Sequence, residues 1–262
     1  MLTILTATYN RYNTLLRLYD SLESQCNKDF EWLVVDDGSS DDSILLLNAL
    51  RFVASFPVRV LHQNNSGKHV AINNGVSVIT NDWVFMVDSD DFLPPDAVEM
   101  FFSDLKRSNN KFVGYCYRKA DVFGEIVGRK IDNSINDFSI MTPTQAGNFY
   151  SGDLAYVFMT SILAKYPFPT FIGEKFVPEL LVWNRIADEG DIAFYHHKII
   201  YFCEYLQDGY SANFDMNLRK NPRGFGCYYK HQFLRECSFV RKLKCAVRYI
   251  QCVYFNFIKR IN

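Results

Sequence analysis

Three carboxylates lie within four positions directly after a short apolar run. Residues 83–87 read Trp-Val-Phe-Met-Val and are followed by Asp88, Ser89, Asp90 and Asp91. An unbroken apolar run of this length is typical of a strand buried on both faces of a parallel sheet, and ligands of such sheets bind beyond the carboxyl ends of the strands. Two carboxylates one residue apart are hard oxygen ligands, so the pattern favours a Mg²⁺ or Mn²⁺ site that also binds substrate phosphates. The alternative is a solvated acidic turn.

Two earlier strands are predicted to end at the same edge of the sheet. Residues 2–6 form an apolar run that leads into the polar segment 7–11, and residues 32–35 lead into Asp36 and Asp37. The carboxyl ends of parallel strands meet at one edge. We therefore expect these polar segments to lie near the acidic residues that follow the strand at 83–87.

Lys68 follows a third short strand, which is predicted at residues 58–61. Backbone amides at the start of the helix that begins here, beside a lysine, suit a diphosphate. A P-loop is excluded because its first glycine would fall at His62, and no Gly-x-Gly-x-x-Gly follows any strand. The alternative for Lys68 is a solvated surface lysine.

The strands and helices of the first third alternate, which predicts an α/β fold with parallel pairing. After residue 110 the pattern changes. We predict antiparallel strands at 111–117 and 122–127, a loop over 132–148 and a further strand at 155–158.

The bulk composition excludes some functional classes and predicts a cytoplasmic location. Lys and Arg total 28 against 29 Asp and Glu in 262 residues, so no general attraction to nucleic acid is implied. The seven cysteines are odd in number and scattered, which indicates a reducing compartment. No signal peptide is apparent, and no apolar stretch reaches the roughly 20 residues of a membrane-spanning helix.

Four motifs occur in a fixed order: Thr-Ala-Thr-Tyr-Asn-Arg at 6–11, Val-Val-Asp-Asp-Gly-Ser at 34–39, Asn-Ser-Gly-Lys at 65–68 with Asn-Asn-Gly at 73–75, and Val-Asp-Ser-Asp-Asp at 87–91. Together they resemble the nucleotide-sugar-binding half of family-2 glycosyltransferases with the GT-A fold. The resemblance extends through about residue 105. It implies a Rossmann-like half with a mixed central sheet.

The resemblance also implies a ligand and a cofactor. The donor would be a nucleotide sugar, most often UDP-linked, and the cofactor a divalent cation, Mn²⁺ or Mg²⁺. Tyr9 and Asp37, with Asp36 beside it, would hold the base, Asp88 the ribose or the metal, and Asp90 the metal. The full set of implied donor contacts is Thr8, Tyr9, Arg11, Asp36, Asp37, Lys68, Asn73, Asp88, Ser89 and Asp90.

The catalytic base is expected in the second half. Many relatives carry an acidic pair at a helix start, with an arginine about six positions later. Glu179 and Arg185 match this spacing, but Pro178 stands where the first acid would be, and Glu174 is the second choice. A glutamate is ionised at neutral pH, so it can take the acceptor's proton in an inverting transfer. This segment resembles a bacterial subgroup that builds capsule, exopolysaccharide or O-antigen chains.

The chain ends in a basic, aromatic-rich segment with apolar residues at helical spacing. One interpretation is an amphipathic helix, or two, on an anionic membrane surface; the other is a helix whose apolar side packs on the domain. The basic residues are Arg235, Arg241, Lys242, Lys244, Arg248, Lys259 and Arg260, and the spaced apolar residues are Phe239, Leu243, Val247, Ile250, Tyr254 and Phe257.

These expectations combine into one interpretation with two alternatives. Residues 1–110 would bind the nucleotide sugar, residues 111–215 the acceptor, and residues 216–262 would form the basic helical segment. The protein would be an inverting, metal-dependent glycosyltransferase of surface polysaccharide synthesis, acting on a saccharide or lipid-linked saccharide and peripheral on the inner face of the membrane. The alternatives are a catalytically inactive nucleotide-sugar-binding homologue and, with less support, a sugar nucleotidyltransferase.

Overall fold

The computed structural model describes residues 1–132, 134–204 and 213–261. Within these residues, eight strands form one sheet. The strands are β1 (Leu2–Thr8), β2 (Phe30–Asp36), β3 (Val58–His62), β4 (Trp83–Met86), β5 (Gly114–Ala120), β6 (Phe138–Ile140), β7 (Leu154–Met159) and β8 (Ile192–Phe202).

Helices follow most of the strands. In the described part of the chain they are α1 (Tyr12–Glu23), α2 (Ser43–Val53), α3 (Lys68–Val76), α4 (Ala97–Arg107), α5 (Pro143–Tyr150), α6 (Thr160–Leu163), α7 (Leu180–Ile186), α8 (Phe214–Lys220), α9 (Pro222–Arg235) and α10 (Phe239–Ile261).

The sheet is parallel in its first half and mixed in its second. The strand order is β3-β2-β1-β4-β7-β5-β8-β6, and the first four strands pair in parallel. The next strand, β7, is antiparallel to both β4 and β5, whereas β5 and β8 are parallel. The predicted α/β fold class with a mixed central sheet is therefore confirmed. In the parallel half Thr8 pairs with Asp36, so the loops after β1 and β2 leave the sheet side by side.

Both faces of the sheet are buried, as the unbroken apolar strands predict. Ile4 and Val34 point to the layer that contains α1, α2 and α4, whereas Leu5 and Val35 point to the layer that contains α3 and α7. All four side chains are fully or almost fully inaccessible to solvent. The alternation follows from the two-residue period of a strand, so helices must cover each face.

Two predictions for the middle of the chain were wrong. Residues 122–127 do not form a strand. The carboxylate of Asp121 accepts the amides of Phe123 and Glu125 and folds the chain into a turn. The guanidinium of the buried Arg118 then donates to the carbonyl of Val127, a backbone oxygen that a partner strand would otherwise use.

The segment at 132–148 also contains more structure than the predicted loop. β6 pairs antiparallel with β8, and α5 begins at a capping box in which Thr142 and Gln145 each bond the other's backbone amide, with Pro143 in the first turn. This Thr-Pro-x-Gln pattern is a readable helix start, and it was missed because the segment around it is polar.

The last three helices form a layer of their own beside the sheet. Leu218, Phe225 and Cys252, one from each of α8, α9 and α10, form a small buried cluster. The predicted helical C-terminal segment is therefore present. Across the described ranges, no helix combines the length and the apolar character that crossing a bilayer requires.

Phe101 provides a test of the packing between α4 and the sheet. Its ring is 1% exposed and meets Trp83 and Tyr115 edge-on at 5.6 Å between ring centroids. We expect Phe101→Ala to lower the free energy of unfolding by about 3–5 kcal/mol, because it leaves a cavity in a closely packed layer. Urea unfolding followed by circular dichroism measures this change.

Phe52→Ala is the matched control, because the Phe52 ring is 88% exposed. Its effect should stay within about 0.5 kcal/mol. Equal effects of the two substitutions would contradict the packing described for α4.

Candidate active site

A cleft of about 770 Å³ opens at the carboxyl ends of β1, β2 and β4. One wall consists of the strand-end loops, and the other consists of the segment before α7 together with α8 and α9. The first wall contributes Ala7, Thr8, Tyr9, Arg11, Asp37, Asp88, Ser89, Asp90 and Asp91, and the second contributes Lys175, Phe176, Pro178, Glu179, Leu180, Phe214, Asn217, Phe225, Tyr228 and Tyr229.

The loops after β1 and β2 are joined to each other by hydrogen bonds. Asn10 has a left-handed backbone with φ of 52°. Its amide donates to the Ser39 hydroxyl, and its side-chain oxygen accepts the amide of Ser40. This link holds the neighbouring Tyr9 and Arg11 at the cleft.

Asp37 orders the loop that leads into α3. Its carboxylate accepts the amides of Ser66 and Gly67 at 2.7 and 2.8 Å and the side-chain amide of Gln63 at 2.6 Å. Gly67 itself has φ of 101°, and a Cβ built on it would lie 2.3 Å from the carbonyl oxygen of Lys175. Only glycine allows this approach, which brings the start of α3 against the opposite wall of the cleft.

Lys68 bridges the two walls. Its Nζ lies 2.6 Å from Oδ1 of Asp88 and 2.7 Å from Oε1 of Glu179. Burial alone would lower the pKa of Lys68, but the two carboxylates outweigh this effect and hold its pKa well above the usual value. Lys68 is therefore a permanent cation between the acidic loop and the residue expected to act as the base.

The acidic loop after β4 is only partly neutralised. Arg11 lies 3.8 Å from Asp90, and Lys119 lies 3.9 Å from Asp91.

Burial and the neighbouring carboxylate of Asp88 raise the pKa of Asp90. Burial and the same carboxylate raise the pKa of Asp91 to about 6, against the influence of Lys119. Burial also opposes ionisation of Asp88, but Lys68 and Lys119 lower its pKa overall. Burial and the neighbouring carboxylate thus disfavour the charged forms of Asp90 and Asp91, and a bound cation would offset this effect.

The donor set of this loop fits a cation that binds together with phosphates. Nowhere in the described residues do three His, Cys, Asp or Glu side chains come close enough to hold a metal by themselves. Asp88 and Asp90 offer two carboxylates at the cleft, and Mg²⁺ is usually held by one or two carboxylates plus substrate phosphates and water. The residues present therefore suit a metal ion whose remaining ligands come from a bound diphosphate.

Most of the residues expected at the site line this cleft. They are Thr8, Tyr9, Arg11, Asp37, Lys68, Asp88, Ser89, Asp90 and Glu179. The buried hydroxyl of Thr8 has no hydrogen-bond partner within the described residues, and Tyr9 is 47% exposed. The first is a polar group, and the second an aromatic surface, that a ligand can use.

Three expected site residues lie outside the lining and hold the fold together instead. The carboxylate of Asp36 is fully buried and accepts the Ser39 amide while contacting His62. The side chain of Asn73 donates to the carbonyl of Phe168 and accepts its amide. Glu174 is also buried, and the start of α9 binds it.

The cleft also contains residues that the sequence did not indicate. Lys119 lies in β5, and its ammonium group stacks on Tyr201 at 3.8 Å from the ring centre. Tyr228 and Tyr229 come from α9, inside the segment expected to act as a separate basic tail. No local signal separates these residues from ordinary packing, because their place depends on pairing between distant parts of the chain.

Comparison with known proteins identifies relatives by sequence. The model of the family described as "Glycosyl transferase family 2" matches residues 3–161. Chondroitin synthase of Escherichia coli is 33% identical over 108 residues, covering 41% of this chain and 16% of that protein. GlyG of Streptococcus pneumoniae, a glycosyltransferase, is 27% identical over 173 residues, covering 63% of this chain and 56% of GlyG. The chain thus spans a fifth or less of the length of the first curated relatives it matches.

Solved structures share the fold at low sequence identity. TarS 1-349 of S. aureus in complex with UDP-GlcNAc superposes with a TM-score of 0.71 at 16% identity, over 98% of this chain and 72% of that chain. The mannosyltransferase PcManGT of Pyrobaculum calidifontis in complex with GDP-Man and Mn²⁺ gives 0.63 at 16% identity, over 97% and 73%.

Glu174 offers a test that separates a structural role from a catalytic one. Its carboxylate accepts the amides of Arg223 and Gly224 at 3.0 and 2.9 Å and the Nε of Arg223 at 3.1 Å. We expect Glu174→Ala to lower the free energy of unfolding by about 3 kcal/mol, because the first turn of α9 loses its buried acceptor. Urea unfolding measures the change.

Glu125→Ala is the control, since the side chain of Glu125 is exposed and its carboxylate forms an ion pair with the exposed Lys130. It should change stability by no more than about 0.5 kcal/mol. A Glu174→Ala protein as stable as this control would contradict the anchoring role.

Proposed function

Because the chain belongs to glycosyl transferase family 2, we propose that it transfers a sugar from a nucleotide-sugar donor to an acceptor hydroxyl. The chain has the GT-A fold of such enzymes. The observation that carries the proposal is the bridge made by Lys68, which puts the acidic loop after β4 and Glu179 on facing walls of one cleft. A transfer between two substrates needs a charged site for the leaving group and a base across from it.

The proposed donor is UDP-linked. Among the solved neighbours, TarS contains UDP-GlcNAc, whereas PcManGT contains GDP-Man. The nucleobase of the donor is therefore the property to test first. In this chain the exposed ring of Tyr9 offers a stacking surface next to Thr8, whose buried hydroxyl has no hydrogen-bond partner in the part of the chain that the structure describes. Asp37 lies at the same end of the cleft, with its carboxylate bound to the loop before α3.

We propose that Asp88 and Asp90 hold a divalent cation, Mn²⁺ or Mg²⁺, together with the donor. When bound, the cation would offset the negative charge that grows on the leaving diphosphate. Lys68 and Arg11 line the same part of the cleft and provide fixed positive charge for the phosphates. The excess of carboxylates around Asp90 supports this assignment, because binding a cation there relieves repulsion.

Glu179 is the proposed base of an inverting transfer. Its carboxylate would take the proton of the acceptor hydroxyl while the oxygen attacks the anomeric carbon from the face opposite the diphosphate. Lys68 contacts one carboxylate oxygen of Glu179 and holds the side chain toward the acidic loop. Glu179 lines the cleft, whereas the carboxylate of Glu174 is buried and hydrogen-bonded to α9. The geometry therefore favours Glu179 as the base.

The proposed acceptor is a saccharide, free or lipid-linked, in surface polysaccharide synthesis at the inner face of the cell membrane. Two relatives support this class by name: the chondroitin synthase of E. coli, and an undecaprenyl-phosphate 4-deoxy-4-formamido-L-arabinose transferase of Klebsiella pneumoniae that is 34% identical over 100 residues. The aromatic side chains of α9 in the cleft suit a sugar ring.

A homologue that binds the donor without transferring the sugar is the competing function. Pro178 in place of an acid is the feature that favours it. The two functions predict the same donor binding and differ only in turnover, so binding and turnover must be measured separately.

Thermal denaturation with nucleotides tests the donor site. We expect UDP and UDP-sugars with Mn²⁺ to raise the melting temperature by roughly 5–10 °C at about 100 times the dissociation constant, a stabilisation of about 2.7 kcal/mol. GDP and GDP-mannose are run alongside. Asp90→Ala should abolish the metal-dependent part of the stabilisation. Asp96→Ala should not, because Asp96 is an exposed carboxylate at the far end of the same connection, next to α4. No stabilisation by any nucleoside diphosphate would contradict the donor site.

Glu179→Gln tests the base. Release of nucleoside diphosphate in the presence of acceptor should fall about 10²–10⁴-fold, while the shift in melting temperature caused by the donor is retained. Glu125→Gln serves as the control and should turn over like the unmodified protein. Unchanged turnover in Glu179→Gln would exclude Glu179 as the base. An unmodified protein that binds donor but never releases product would favour the binding homologue.

A further inference from the structure

The longest helix of the described chain, α10, packs on the neighbouring helices through a face that contains two cysteines and Phe255. Cys245 and Cys252 are buried on this side. At Gly226 of α9 the two helices are so close that an added Cβ would lie 3.4 Å from the Cβ of Cys252. The apolar residues that define the helical repeat of α10 therefore do not make this contact.

Instead, these apolar residues form a stripe on the opposite, solvent-facing side. Positions three and four apart share a helix face, so the stripe is continuous along the helix. Its members and their exposed fractions are Phe239 80%, Val240 61%, Leu243 55%, Val247 49%, Ile250 65%, Val253 52%, Tyr254 59% and Phe257 63%.

Two further large apolar side chains are exposed near the end of α9. Leu234, near the end of α9, is 75% exposed, and the neighbouring Phe233 is 39% exposed. A soluble monomer rarely leaves so many large apolar side chains together in water, and such a patch usually marks an interaction surface. The sequence alone allowed the apolar side to pack on the domain, but in the structure it does not.

Positive charge identifies what this surface binds. Residues 239–261 contain six Lys and Arg and no Asp or Glu, in a chain whose net charge is −1. Lys244 is exposed on one border of the stripe, and Lys242, on the other border, is half-buried. In contrast, Arg248 and Lys259 point back to the protein, toward Asp215 and toward the carbonyls of Gly173 and Lys220.

We propose that α10 lies in the surface of an anionic lipid bilayer, with the stripe in the boundary between headgroups and acyl chains. Lys242 and Lys244 would contact lipid phosphates. A helix with an apolar face and a cationic border binds such membranes through burial of its apolar face and through electrostatic attraction to the anionic headgroups. A second copy of the chain is a poorer occupant, because pairing two stripes would bring two acid-free cationic helices together.

The position of α9 connects this surface to the cleft. One side of α9 packs on α10, and Tyr228 and Tyr229 of the same helix line the cleft. Packed helices have axes about 8–10 Å apart, so the cleft wall lies one helix layer from the bilayer. A lipid-linked saccharide would then reach the cleft from the membrane; this last step rests on the proposed function, whereas the membrane surface does not.

Sedimentation with vesicles tests the surface, using the full chain and phosphatidylcholine with or without phosphatidylglycerol. The unmodified protein should bind the anionic vesicles. Ile250→Ser, Tyr254→Ser and Phe257→Ser combined should weaken this binding about 100-fold or more, because three inserted side chains lose their apolar contact. Leu45→Ser, Phe52→Ser and Phe123→Ser combined are the matched control, since these side chains are 66, 88 and 89% exposed elsewhere, and should bind normally.

The charge contribution is tested in the same assay. Lys242→Gln and Lys244→Gln should each weaken binding to anionic vesicles about fivefold and leave binding to neutral vesicles unchanged. Arg51→Gln, Lys106→Gln and Lys111→Gln, which replace exposed cations far along the chain, are the controls and should have no effect.

Several outcomes would overturn the proposal. The first is an absence of binding to anionic vesicles, and the second is an equal loss of binding in the variants and their controls. The third is that the unmodified protein forms a dimer in size-exclusion chromatography, the stripe variant does not, and neither protein binds vesicles. Stabilisation by the donor is measured on the same proteins. Its loss with vesicle binding intact would refute the proposed function alone, and intact stabilisation without vesicle binding would refute the membrane surface alone.

Discussion

The cleft depends on one cation held between two carboxylates. Lys68 reaches Asp88 and Glu179 only because Gly67 lets the start of α3 approach the backbone of Lys175. Any side chain at position 67 would force these segments apart. Through this contact, the first half of the chain, which supplies the acidic loop, and the second half, which supplies Glu179, become one site.

The charge of the cleft is set by the acidic loop after β4. Asp90 and Asp91 have raised pKa values because burial and the neighbouring Asp88 disfavour further negative charge. A diphosphate alone would add to this repulsion, whereas a diphosphate that arrives with a divalent cation would reduce it. These electrostatics support the proposal that the donor binds together with a divalent cation.

The sequence predicts one basic helical segment at the C-terminus, whereas in the structure its helices have two separate roles. α8 and α9 close the cleft, and the buried Glu174 holds the start of α9 in place. α10 then covers α9 and turns its apolar stripe outward. A basic, aromatic-rich segment thus contributes both to the cleft wall and to an exposed surface, because successive helices present different faces.

The sequence by itself determined the α/β class, the parallel pairing of the first half and the acidic strand ends, since hydrophobic periodicity and strand-end position are local properties. The order of the strands in the sheet came from the structure. It did not decide which polar residues face the cleft. Asp36 and Asp37 are neighbours, yet Asp36 is buried against His62 while Asp37 lines the cleft. Asn73 and Glu174 likewise bind backbone far along the chain, at Phe168 and at Gly224. Only the tertiary structure decides such partners, because each depends on contacts between segments that no local pattern encodes.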